Sequence, residues 1–103
     1  MKGEIGMPTF VTLASWTDEG IKNVKESPER LVAFKQAAES MGCTVKDFYL
    51  VTGDYDMVVV MEAPDGETAV KLSLAVGSGG AVRTKTLRAF TESEYRKIIA
   101  SLP

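Results

Sequence analysis

Gly53-Asp54-Tyr55-Asp56 places two carboxylates and a phenol within four consecutive residues. Two carboxylates so close can work as an acid–base pair or offer oxygen ligands to a hard cation. A dedicated magnesium or calcium cage takes more protein carboxylates than two, so no metal is assigned. The plainer role is a turn: glycine supplies a positive φ, aspartate caps turn amides, and the Tyr55 ring packs under a hairpin. Tyr55 and Asp56 stay on the list of ligand-facing candidates. Arg83, Thr84 and Thr86 form a second group, because a guanidinium fork suits a carboxylate or phosphate and the two hydroxyls alternate with it along an extended segment. Trp16 and Thr17 form a third. An indole there can stack on a flat ligand or be buried at a contact between subunits.

Other features carry less chemistry. Gly77-Ser78-Gly79-Gly80 has the look of a phosphate loop but the wrong direction, since it follows a helix instead of opening one. Cys43 has no histidine to activate it, although Lys46 lies close in sequence, and reads as a small structural residue. The chain contains no histidine at all. Serine–histidine and cysteine–histidine catalysis, histidine-ligated zinc or haem, and imidazole proton transfer are thereby excluded. One cysteine cannot close an intrachain disulfide or a thiolate cage.

Twelve basic residues against fourteen acidic ones give a formal charge of −2, so no sequence-wide attraction to nucleic acid or to anionic lipid is expected. The first seven residues lack the apolar core of a signal peptide, and the longest strongly apolar run, Met57 to Met61, is far short of the roughly 20 residues that span a bilayer. With one free thiol, the expected location is cytoplasmic. A chain of 103 residues with 45% apolar and 25% charged side chains is expected to form a single domain.

The elements that must position these groups follow from period and punctuation. Thr9 to Trp16, rich in β-branched and aromatic residues, reads as a strand that leaves through a turn at Thr17 to Gly20. Asn23 to Glu26 reads as polar connection. Ser27-Pro28-Glu29 predicts a helix start with Ser27 as the cap, and Leu31, Phe34, Ala38 and Met41 form its apolar stripe. Gly42 is placed to end it. Thr44 to Val51 and Met57 to Met61 predict a hairpin. A helix follows Pro64-Asp65-Gly66 with Ala69, Leu72 and Val76 on one side, and Ala81 to Phe90 is a fourth strand. Thr91 with Glu94 is a capping box for a last helix, about residues 92 to 102. The order β-α-β-β-α-β over a core of about residues 8 to 90 predicts an α+β, ferredoxin-like sandwich: a four-stranded antiparallel sheet with helices on one face. Strands one and three, which lack charge, belong in its centre.

Strand three breaks the apolar–polar alternation expected of a sheet wet on one side. Met57, Val59 and Met61 point one way and Val58 and Val60 the other, all apolar. The helices cover only one of these faces. The terminal helix is too short to shield four strands, so the expected cover is a second copy of the chain in a self-complementary contact.

Gly53 to Asp56, with the apolar strand and Glu62-Ala63-Pro64-Asp65 after it, resembles the signature of the GYD domain family. Trp16 to Gly20 and Arg83 to Phe90 extend the likeness over about residues 8 to 95. The resemblance implies a fold similar to the dimeric α+β barrels, whose subunits join through their sheets, and implies no settled reaction. Asp54 stands at the variable position of the motif.

The expected function is that of a small homodimer or higher homo-oligomer binding a small molecule between sheet and helices. The candidate residues are Trp16, Thr17, Tyr55, Asp56, Arg83, Thr84 and Thr86, with no cofactor. Two other readings stay open. One is a cofactor-independent oxygenase, isomerase or decarboxylase relying on Tyr55, Asp56, Trp16 and Arg83. The other is a purely structural assembly module.

Overall fold

The computed structural model describes residues 6–103; the expectation drawn from the first seven residues falls mostly on residues 1–5, which lie outside the described residues. Four antiparallel strands, β1 (Thr9–Trp16), β2 (Thr44–Leu50), β3 (Met57–Glu62) and β4 (Val82–Ala89), form one sheet in the order β2-β3-β1-β4. This is the ferredoxin-like arrangement, with β1 and β3, whose only charge is the terminal Glu62, inside and the more charged strands at the edges. Among the described residues four helices join it: α1 (Asp18–Lys22), α2 (Ser27–Ser40), α3 (Gly66–Ser78) and α4 (Glu92–Ala100). None is long and apolar enough to cross a membrane.

Register decides which side chains can meet. Phe10, Thr12, Ala14 and Trp16 of β1 lie beside Met61, Val59 and Met57 of β3 and beside Thr86, Thr84 and Val82 of β4, on the side that carries α2 and α3. The core cluster sits there: Phe10, Val59 and Met61 from the sheet meet Ala38, Ala69 and Leu72 from the helices and Cys43 from the connection before β2. The opposite side shows Val11 and Leu13, Val58 and Val60, then Tyr49, Lys85 and Leu87. No helix among the described residues packs on it. Apolar residues therefore line both faces of the two central strands, as their uninterrupted runs predict. Edge strand β2 carries a register shift between Val45 and Asp47, which leaves Lys46 unpaired.

Local punctuation differs from the sequence reading in three places. Thr17 to Gly20 starts a helix: the Thr17 hydroxyl accepts from Gly20 N, capping α1, with Asp18 and Glu19 in its first turn. The segment after it coils as a 3-10 turn, Val24–Glu26, that runs straight into α2. Ser27 is therefore already helical, and Glu26 holds the cap position with no side-chain bond. The last helix is 92–100 with the capping box in place, Glu94 N to Thr91 Oγ1 at 3.1 Å and Thr91 N to Glu94 Oε1 at 2.8 Å. It does not fold back on the sheet. The radius of gyration is 15.0 Å, against about 13 Å for a compact chain of this length.

Candidate functional site

The two helices on the sheet touch each other little, because α2 leans on β2 and α3 on β4. Between them a cleft of about 650 Å³ opens down to the sheet. Its floor is Thr12, Ala14 and Trp16 of β1, Phe48 and Leu50 of β2, Met57, Val59 and Met61 of β3, and Val82 and Thr84 of β4. Leu31 and Phe34 of α2 and Leu72, Ser73 and Val76 of α3 make the walls. Concavities of this size commonly hold small molecules, with apolar walls and a few placed polar groups.

The polar groups gather where α3 crosses β4. Thr86 Oγ1 lies 3.2 Å from Thr12 Oγ1 and 3.0 Å from Ser73 Oγ, a chain of three hydroxyls linking both strands to the helix. Thr84 is the next residue along the same face of β4. A second, shallower groove of about 680 Å³ runs along the outside of α3, lined by Thr17, Val70, Leu74, Arg83, Thr84 and Thr86 among others. Ser73, Val82 and Thr84 border both hollows.

The sequence-predicted residues divide among these places. Trp16 and Thr84 line the cleft; Thr17, Arg83, Thr84 and Thr86 line the outer groove. Tyr55 and Asp56 line neither. Asp56 is a structural tie: its carboxylate accepts from Trp16 N at 3.0 Å and its own N–H donates to Ala14 O at 2.9 Å, fixing the end of β1. Tyr55 lies toward the open face, with Lys85 Nζ 5.8 Å from its ring centre. Thr17 is also occupied, since its hydroxyl donates to Gly80 O at 2.6 Å and accepts from Gly20 N at 3.1 Å. The four residues proposed for cofactor-independent chemistry are thus not brought to one cavity. Phe34 and Leu31 read as helix core from their spacing, and the structure makes them walls. Ser73 is not legible in the sequence, because a lone serine inside a helix gives no signal.

Cys43 and Asp65 stand apart from the cleft. Cys43 is buried, and burial pushes its thiol above the ordinary value, with the Asp65 carboxylate adding to the rise; a thiol held neutral is a poor nucleophile. Hydrogen bonds from Thr68 hold Asp65 below the usual carboxylate range, and that bonding caps α3. Among the described residues no group of three or more acidic or cysteine side chains could hold a metal ion.

Comparison with known proteins gives three matches. The GYD domain model matches residues 10–99. A Thermus thermophilus protein, named glutamine synthetase and cystathionine beta-lyase binding protein, is 40% identical over 84 residues, 81% of this chain and 88% of its own. The crystal structure of MtbAldR is similar with a TM-score of 0.61 at 13% identity, over 88% of this chain and 58% of that one. At that identity the likeness concerns the fold alone.

Proposed function

This chain belongs to the GYD domain family, and on that premise we propose that it is a binding protein that works as a homodimer and docks on metabolic enzymes, without a reaction assigned to it. The observation that carries the reading is the open face of the sheet. Val11, Leu13, Val58 and Val60 form its centre with no helix of the described residues over them, and self-complementary burial of such a patch is the common route to a two-fold dimer. The name of the Thermus relative supports protein partners, with glutamine synthetase and cystathionine β-lyase as the first to try. The free, buried Cys43 fits a reducing, cytoplasmic setting. Light scattering at micromolar concentration tests the dimer: a particle of about twice 11.1 kDa is expected, falling to the single-chain mass in Val58→Lys. A compact 11.1 kDa particle for the unaltered protein refutes it. Surface plasmon resonance against the two purified enzymes tests docking, and no saturable binding to either removes that part.

A second reading, small-molecule binding in the cleft, is supported by the cleft's volume and apolar lining. It is compatible with the first, because the cleft and the open face lie on opposite sides of the sheet.

A further inference from the structure

We infer that the cleft between α2 and α3 takes an uncharged, mostly apolar small molecule bearing one hydroxyl or carbonyl oxygen, held at the Thr12–Thr86–Ser73 hydroxyl cluster. The inference rests on the second reading above and gives the ligand its chemistry.

Size sets the first limit. The cleft holds about 650 Å³, within the roughly 300–1,000 Å³ common to small-molecule sites. Its floor reaches the buried Met57 and Val59, so a ligand seated there is largely shielded from water.

Charge sets the second. Among the described residues Arg30 is the one charged side chain lining the cleft, and its guanidinium is engaged: it donates to Asn23 O at 3.2 Å and pairs with Glu26 at 3.5 Å. An anion entering the cleft loses its hydration and has to compete with Glu26 and Asn23 O for the one guanidinium there; a cation meets no carboxylate. Both are disfavoured against a neutral molecule of the same shape.

Hydrogen-bonding capacity sets the third. Three hydroxyls carry three protons, and the two contacts among Thr12, Thr86 and Ser73 use two of them. One donor and several lone pairs are left for a ligand. Thr84 adds a hydroxyl with no hydrogen-bond partner among the described residues, and the Trp16 indole N–H adds a further such donor. A ligand that is all hydrocarbon leaves these groups dry and unpaired, whereas one oxygen at this end satisfies them.

Trp16 is the only tryptophan in the chain, so its fluorescence reports on the cleft. Titration at pH 7 with 1-decanol, decanoate and decylammonium compares three head groups on one tail. The expected result is a saturable change with 1-decanol and binding at least about tenfold weaker for both ions. Ser73→Ala, which keeps the helix, is expected to weaken 1-decanol about fivefold, the worth of one neutral hydrogen bond. Decanoate or decylammonium binding as tightly as the alcohol overturns the ligand class and leaves the cleft as a site. A Ser73→Ala protein that binds the alcohol unchanged overturns the hydroxyl cluster as its anchor. No saturable response to any of the three probes overturns the cleft reading itself.

Discussion

Gly20→Ala is the most demanding single test of the packing at the mouth of the fold. Gly20 is buried in α1, and a Cβ built there falls 1.9 Å from Ala81 O. Real Cβ contacts stay beyond 3.0 Å, so α1 and the Ala81 backbone must part by about 1 Å or more. Two hydrogen bonds cross that seam, Thr17 N to Ala81 O at 3.0 Å and Thr17 Oγ1 to Gly80 O at 2.6 Å. Losing both costs about 2 kcal/mol, and overpacking strain adds about 1–2 kcal/mol. A total of about 3–4 kcal/mol lowers the melting temperature of a domain this size by roughly 12–30 °C. Urea and thermal melts of the variant measure it. Gly66→Ala is the control, because nothing lies within 4 Å of its Cβ and its backbone is helical; it is expected to be neutral or slightly stabilising. If Gly20→Ala unfolds within about 0.5 kcal/mol of the unaltered protein, the seam between α1 and Ala81 is not closed as described.

Further outcomes follow from the caps and the thiol. Thr17→Val removes a hydroxyl that bonds on both sides and is expected to destabilise by about 1–2 kcal/mol in urea titration. Asp65 titrates below its ordinary value, so its cap stabilises fully above that value and is lost as acid carries the pH down through the lower folded one. The stability gap between the unaltered protein and Asp65→Asn should therefore close at acid pH; a gap that is constant from neutral pH down to about pH 2 refutes the assignment. Cys43 should react with a thiol reagent about a hundredfold or more slower in the native protein than in urea, since access requires opening of the core. Thr91→Ala should speed hydrogen exchange over residues 92–100 while leaving the melting temperature unchanged, because α4 caps itself and supports nothing else in its subunit.

The sheet was legible because its signals are local. The uncharged runs of β1 and β3 put them in the centre, and Gly42, at φ +82°, ends its helical segment where the sequence says it should. The Thr91–Glu94 box likewise needs only its own residues. What escaped the sequence depends on partners far along the chain. Asp56 offers itself to a ligand until the fold brings Trp16 N, forty residues away, onto its carboxylate. Thr17 reads as part of a turn, and the contact that makes it a latch as well as a cap comes from Gly80, far along the chain. The cleft is a matter of how far α2 stands from α3, which no periodicity encodes: a stripe such as Leu31 and Phe34 looks the same whether it closes a core or walls an opening.

The extra residue at Lys46 has a bearing on the homodimer proposed above. An antiparallel edge in good register invites a neighbour to continue the hydrogen-bond ladder, and each addition exposes a fresh edge for the next. The bulge kinks β2 midway, so a straight incoming strand can follow it for only a few residues. On the far border, β4 sets Arg83 and Lys85 beside any approaching backbone. Growth in the plane of the sheet is hindered at both margins, so the homodimer proposed above would have to form across the plane, a mode that consumes its own surface and stops at a fixed number.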